Sequence, residues 1–249
     1  MKRLPPLRLL LGLALFGCAL LEAEAETVFE TNFDDSPPYQ EGARLPITLD
    51  ALGGKWSSEL VPGLPIVVSG EESLSTPCSL LLENTGEGFE PGQKATVWRR
   101  VNVENAVGAE TAKTITRSFA FRISRVDGDE DGFVAVGLPN SGGSIVFAIR
   151  IGVGGAVMVW KHRADPEMVG VIEPGKWYEV EIISPNSEVS EAHPVINLYS
   201  VKDTERGERI GSSDGLALPP KVSRGGFVLF NNLSNSKIFF DNFLVTLDD

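Results

Sequence analysis

Residues 114–124 read TITRSFAFRIS, and the alternation of side chains along this stretch decides the fold class. On one side of an extended chain the apolar residues would be Ile115, Phe119, Phe121 and Ile123. The other side carries small and polar residues from Thr114 to Ser124, and Arg117 is the exception on the apolar side. A period of two predicts a β-strand with one buried face.

The same period recurs along the rest of the chain. Residues 144–152 and 176–182 alternate in this way. A run near 237–247 places on one side Phe239, Phe243, Val245 and Leu247. Further strands are predicted near 27–33, 55–59, 65–69, 79–84, 95–103, 132–138, 156–162, 168–172, 194–202 and 226–231.

Turn residues separate these runs. The chain contains 26 glycines and 16 prolines, and no long helical pattern accompanies them. Residues 152–155 and the pair Pro174-Gly175 suit tight turns, because glycine accepts positive φ. About fourteen short antiparallel strands predict an all-β fold, a two-sheet antiparallel β-sandwich or jelly roll rather than a small barrel.

The N-terminus has the pattern of a secretory signal. A positively charged stretch at residues 2–8 precedes an apolar run from Leu9 to Leu21, which is shorter than the about 20 residues that span a bilayer. Small residues then mark a cleavage site after Ala25. The sequence therefore predicts a signal peptide at 1–25 and a single domain at 26–249, secreted or periplasmic.

A second interpretation of the N-terminus stays open. Residues 15–18 (LFGC) resemble a bacterial lipobox, in which Cys18 would carry the lipid anchor. Phe16 is unusual at its position in such a motif, which favours plain cleavage. The intact mass of the exported protein distinguishes the two outcomes.

The net charge limits the possible ligands, and the cysteine content limits how the fold can be stabilised. Cleavage after Ala25 changes the net charge from −12 to −13, and such a domain repels nucleic acid and anionic membrane surfaces. Cys78 is then the one remaining cysteine, so no intrachain disulfide is possible and the core must stabilise the fold.

Four segments resemble a known family when taken in order. They are Phe33-Asp34-Asp35, GKWYEVEI (175–182), GGFVLFNN (225–232) and IFFDNFLV (238–245). Over most of residues 27–247 their order is similar to bacterial members of the concanavalin A-like lectin/glucanase superfamily, close to laminin G-like domains. The resemblance implies a concanavalin A-like jelly roll of two curved sheets, with ligands on the concave face or at loop ends. It implies no activity, because the superfamily includes enzymes, lectins and adhesion modules.

The resemblance also implies one structural Ca²⁺ between the N-terminal segment and an aspartate of the final strand. Asp241 matches that strand position, and Asp34 or Asp35 would lie near it. The alternative is that Asp241 hydrogen-bonds a turn. A melting temperature that EDTA lowers would support the calcium interpretation.

A second candidate cation site follows from the residues themselves. In DGDEDG at 127–132, carboxylates alternate at Asp127, Asp129 and Asp131, as in the first half of a calcium loop. Leu138 stands where such a loop needs glutamate, so the competing interpretation is a solvated acidic hairpin tip.

An aromatic and polar surface is the candidate ligand site. The residues on the non-core sides of their strands are Arg122, Arg150, Trp160, His162, Trp177, Glu179 and Glu181. Sugars stack on flat aromatic rings while charged side chains bind their hydroxyls. These residues form one polysaccharide or cell-surface glycan site if their strands adjoin, and none if they lie on different sheets.

Catalysis is not predicted. Glu179 and Glu181 alternate on one strand, but the longer Glu-x-Asp-x-x-Glu run of related glucanases is missing. The sequence therefore predicts an exported, non-catalytic carbohydrate-binding or adhesion-type module. A polysaccharide hydrolase or lyase and a purely structural or protein-interaction domain remain the alternatives.

Overall fold

The computed structural model describes residues 25–34, 37, 39–44, 56–59, 66–75, 77–83, 95–101, 103, 106–125, 134–139, 145–161, 165–186, 193–214, 227–232 and 236–248. Within these ranges no α-helix occurs, so none could cross a membrane. The predicted signal peptide up to residue 24 and the alternative lipid anchor Cys18 lie outside them.

Fifteen strands make up the described part of the chain. In order they are β1 (Glu26–Thr31), β2 (Trp56–Glu59), β3 (Ile66–Ser69), β4 (Ser79–Glu83), β5 (Ala95–Arg100), β6 (Thr114–Ile123), β7 (Val134–Pro139), β8 (Ile145–Ile151), β9 (Ala156–Lys161), β10 (Glu167–Val171), β11 (Trp177–Pro185), β12 (Val195–Lys202), β13 (Glu205–Ser213), β14 (Phe227–Asn232) and β15 (Lys237–Asp248).

The strands form two antiparallel sheets, which confirms the predicted β-sandwich. Sheet A has eight strands in the order β13-β12-β11-β6-β15-β4-β3, with β1 pairing the far half of β15. Sheet B has seven strands in the order β10-β9-β8-β7-β14-β5-β2. The predicted tight turn at residues 152–155 joins β8 to β9, where Gly152 N donates to Ala156 O at 2.8 Å.

The core lies between the sheets and follows the alternation of β6. The buried side chains on its inner side are Ile115, Arg117, Phe119, Phe121 and Ile123. β11 pairs with β6 so that Tyr178 lies opposite Phe121, with ring centroids 6.0 Å apart. Arg117 is 2% exposed on this apolar side. Its burial lowers the pKa of the guanidinium to about 10, because a low-dielectric environment disfavours the charged form.

β15 departs from strict alternation. Asn242 has a φ of 48°, and the pairing of β15 with β6 shifts register around it, as a β-bulge does. Before the bulge, Phe239 stands opposite Arg122, on the face turned away from sheet B, whereas Phe240 packs in the core. The prediction that Phe239 shares a side with Phe243 is therefore wrong, because an inserted residue inverts the alternation.

β13 is a strand that the sequence pattern does not predict. Its first half, ERGER at 205–209, is charged at almost every position and lacks alternation. The strand nevertheless forms because its backbone pairs with β12, although the register shifts twice along the pair. It is the outermost strand of sheet A, and its charges suit an exposed sheet edge.

The two sheets meet along one side of the sandwich. There β13 lies so close to β10 that a Cβ at Gly211 would overlap the carbonyl oxygen of Val169. Ser213 Oγ also donates to Glu167 Oε2 at 2.8 Å across the same contact. Glycine at 211 thus allows the backbones of the two sheets to approach each other directly.

Candidate functional site

The outer face of sheet A, turned away from sheet B, holds four of the predicted ligand residues. On β11 these are Trp177, Glu179 and Glu181, which alternate with the core residues Tyr178 and Val180. β6 pairs with β11 so that Arg122 lies opposite Trp177. Trp177, Glu179 and Arg122 are partly exposed, and Glu181 is 9% exposed.

Arg206 of β13 joins the two glutamates on this face. Its guanidinium binds Glu181 Oε1 through Nη1 at 2.6 Å and Glu179 Oε1 through both Nε (3.1 Å) and Nη2. The guanidinium carbon also lies 4.4 Å from the ring centroid of Tyr199. Glu181 Oε2 accepts from Asn197 Nδ2 at 2.9 Å and from the Tyr199 hydroxyl at 3.2 Å. We call these five residues the outer cluster.

The outer cluster keeps Glu181 ionised. Burial alone would raise the pKa of Glu181, but hydrogen bonds from Asn197 and Arg206, together with the charge of Arg206, outweigh burial and lower it below the ordinary value. The pKa of Arg206 is raised in turn: burial opposes the rise, and the two carboxylates more than offset it. Glu181 therefore does not have the raised pKa of a general acid.

Removing the cation of the outer cluster should raise the pKa of Glu181. In Arg206→Met, burial persists while the hydrogen bond and the attraction of the guanidinium are lost, so we expect the pKa of Glu181 to shift upward. Carboxyl ¹³C NMR titration measures it. Arg209→Met is the control on the same strand, and an unchanged Glu181 titration in Arg206→Met would contradict the assignment.

A cleft of about 530 Å³ opens beside the outer cluster. It lies where β11 begins and where β12 turns into β13, and Trp177 forms part of its wall. The wall also contains Leu74, Glu173, Lys176, Asp203 and Ile210. We call this cavity the Trp177 cleft. Its volume lies within the range typical of small-molecule sites.

The turn between β12 and β13 also lines the Trp177 cleft and adopts an unusual backbone conformation. Asp203 has a φ of 51° and Thr204 a φ of 72°. Positive φ at both central positions is the conformation of a tight hairpin turn, which normally selects glycine or asparagine. A β-branched threonine there costs on the order of 1 kcal/mol, and such strain is more frequent at binding sites than elsewhere.

A short segment at residues 70–75, the strap, closes the other side of the cleft. Asp241, which is fully buried on β15, accepts hydrogen bonds at Oδ2 from the backbone N–H groups of Leu74 (2.8 Å) and Ser75 (3.1 Å). Glu72 pairs with Arg122 at 2.7 Å. The strap thereby crosses the outer face of sheet A and brings Leu74 to the cleft.

These contacts bear on the candidate cation sites. Asp241 holds the strap by backbone hydrogen bonds, the alternative to calcium binding that the sequence leaves open, while Asp34 is exposed after β1. In the part of the chain that the structure describes, no three His, Cys, Asp or Glu side chains converge as metal ligands. The acidic loop with Asp127, Asp129 and Asp131 lies outside the described residues.

Two predicted ligand residues lie on sheet B instead. Arg150 on β8 and Trp160 on β9 belong to neighbouring strands, and the guanidinium carbon lies 4.2 Å from the Trp160 ring centroid. Burial lowers the pKa of Arg150. His162 follows β9 and lies outside the described residues. The surface predicted from the sequence is therefore divided between two sheets, and Trp177 on sheet A lines the cleft.

Three residues of the outer cluster are missing from the sequence-based prediction. Asn197 and Tyr199 alternate with the core residues Ile196 and Leu198 on β12, and that alternation is a usable signal for an outward polar pair. Arg206 gives no comparable signal, because its strand has no readable period and its partners lie 25 and 27 residues away in sequence.

Similar solved structures confirm the predicted jelly-roll β-sandwich fold. The catalytic domain of the glycoside hydrolase family 131 protein from Coprinopsis cinerea matches with a TM-score of 0.54 and 8% identity, over 88% of this chain and 94% of that one. The marine PL-14 alginate lyase from Aplysia kurodai matches with a TM-score of 0.52 and 10% identity, over 90% and 100%.

A sialidase matches with a TM-score of 0.55 and 14% identity, over 90% of this chain. The chain spans 19% of that sialidase. No protein-family model matches the chain, and no curated protein matches it in sequence. At these identities the likeness shows the fold alone, a jelly roll shared with carbohydrate-active proteins.

Proposed function

We propose that this domain is an exported module that binds carbohydrate at the Trp177 cleft and does not cleave it. The observation that carries the proposal is the partly exposed Trp177 in the wall of a 530 Å³ cleft, next to a strand face of carboxylate, amide and phenol groups. An aromatic ring offers a flat apolar surface to a sugar ring, and convergent polar groups fix its orientation.

Hydrogen-bonding capacity further along the same face of sheet A supports the proposal. Asn197 is 5% exposed, and no group in the described ranges donates to its Oδ1. Its Nδ2 is already committed to Glu181. A buried acceptor without a donor is costly, and a hydroxyl of a sugar or of water would satisfy it.

The ion pairs of Glu179 and Glu181 with Arg206 support binding without cleavage. Glycoside hydrolysis generally uses two carboxyl groups, of which one must be protonated through a raised pKa. Here Arg206 binds both Glu179 and Glu181, and the pKa of Glu181 is lowered. The structural neighbours include a glycoside hydrolase and a lyase, so release of sugar has to be measured alongside binding.

Trp177→Ala should weaken glycan binding at least about tenfold, because removal of a central aromatic contact typically costs 2 kcal/mol or more. Trp160→Ala is the matched control, since it removes the same side chain from sheet B. Isothermal titration calorimetry against an oligosaccharide panel measures both, with chromatography of each mixture for released sugar.

The outcomes separate the functions. Binding that depends on Trp177 and yields no product supports the proposal. Binding lost in Trp160→Ala but retained in Trp177→Ala would move the site to sheet B and contradict it. Sugar release by the wild type would identify an enzyme instead.

A further inference from the structure

Two cations in or beside the Trp177 cleft already have anionic partners. Lys176 Nζ lies 2.8 Å from Glu173 Oε2, and both residues line the cleft. Arg122 Nη1 lies 2.7 Å from Glu72 Oε1, and its Nε donates to Gly175 O at 2.9 Å, just before Lys176. An anionic ligand would therefore have to share either cation with a carboxylate that already neutralises it.

Arg206, the cation of the adjoining outer cluster, is also paired with carboxylates. It binds Glu179 and Glu181 together, so the three groups carry a net charge of −1. Among the described wall residues, Asp203 adds a further negative charge to the balanced pair of Glu173 and Lys176. The chain as a whole carries −12, so long-range repulsion of anions acts in the same direction.

Much of the remaining wall of the cleft is apolar, although the hydroxyl residues Ser200 and Thr204 also line it. Leu74, Val171 and Ile210 line it beside Trp177, and Val171 and Ile210 are 54% and 38% exposed. Such a wall favours the C–H faces of sugar rings over charged substituents, because desolvating a charge without a partner is expensive.

From these three observations we infer that the glycan recognised at the Trp177 cleft is uncharged, and that uronic, sialic or sulfated sugars are excluded. The inference rests on the proposed function and adds its specificity. The carboxylates at the site repel an anionic sugar, because the cations that could bind it are already paired with these carboxylates.

Pairs of oligosaccharides that share a backbone and differ in the charge of a substituent test the inference. Oligogalacturonates and their methyl esters form one pair, and galactan oligosaccharides with and without sulfate form another. Titration of the full chain at low and high salt should show each neutral member binding at least about tenfold more tightly, with the difference shrinking as salt screens the repulsion.

Glu173→Gln supplies a second readout, because it releases Lys176 from its partner. We expect this variant to gain affinity for the anionic members. Glu110→Gln removes the same charge from an exposed turn that does not line the cleft, and this variant should gain no affinity for the anionic members.

Each result has a definite consequence. Tighter binding of the anionic members by wild type would overturn the inference and leave carbohydrate binding intact. An equal gain in both glutamine variants would attribute rejection to net charge rather than to the cleft, and would also overturn it. If no member of either pair, nor of the wider panel, binds wild type, the proposed function itself fails.

Discussion

Gly211→Ala is expected to destabilise the sandwich by about 3 kcal/mol or more. The added Cβ would overlap the carbonyl oxygen of Val169, which is backbone and cannot rotate away. β10 is held in turn by its pairing with β9, so relief requires the edges of both sheets to separate. Overpacking against a fixed backbone belongs to the short class of substitutions with severe effects.

Urea unfolding of Gly211→Ala measures the loss, and Ser212→Ala is the control. Ser212 is the next residue on β13 and is exposed, so its truncation should change the free energy of unfolding by less than about 0.5 kcal/mol. Equal stability of the two variants would mean that β10 and β13 do not approach each other as described.

Asp241→Ala is expected to lower the free energy of unfolding by about 3 kcal/mol, because it removes the carboxylate that accepts hydrogen bonds from the strap. The backbone N–H groups of Leu74, Ser75 and Asn242 donate to this fully buried carboxylate, and so does the Ser75 hydroxyl. Donors left unsatisfied in a buried position cost about 1–3 kcal/mol each, less whatever water can reach. Because the strap carries Leu74, the variant should also weaken binding at the Trp177 cleft.

The pH dependence of this loss has a definite sign. Burial raises the pKa of Asp241 above its ordinary 3.8, although the backbone hydrogen bonds from Leu74, Ser75 and Asn242 oppose the rise. A group whose pKa rises on folding contributes most stability below its unfolded pKa and loses that contribution as pH rises through the folded value. The stability difference between wild type and Asp241→Ala should therefore be larger near pH 3.5 than near pH 7.

Denaturant unfolding at both pH values measures that difference, with Asp248→Ala as the control on the same strand. Asp248 is half-buried and accepts a hydrogen bond from the Thr116 hydroxyl at 2.7 Å, so a smaller loss is expected. A stability difference that grows from pH 3.5 to pH 7 would contradict the described environment of Asp241.

Local pattern was enough to predict every described strand except β13, and the reason is visible on β6 and β11. In TITRSFAFRI and WYEVEI the side chains alternate between core and outer face, so burial can be inferred residue by residue. Burial cannot be inferred in this way where the side chains do not alternate regularly. Asn242 inserts one residue into β15 and moves Phe239 to the outer face, and the charged β13 has no period at all.

Sheet membership is the part of the candidate site that a single sequence does not contain. Trp160 and Trp177 look alike by alternation, yet their strands belong to different sheets. That difference arises from pairings between distant segments, such as β15 with β6, which depend on the energy of the whole fold. For the same reason Arg206 could not be assigned to Glu179 and Glu181 before the structure placed β13 beside β12.

An NMR titration of the isotopically labelled protein with a neutral oligosaccharide from the panel tests carbohydrate binding at the Trp177 cleft most directly. We expect shift changes at the Trp177 indole N–H and at the amides of Leu74, Asp203 and Thr204, with the Trp160 indole N–H unmoved. Changes confined to Trp160 and Arg150, or none with any glycan at millimolar concentration, would contradict it.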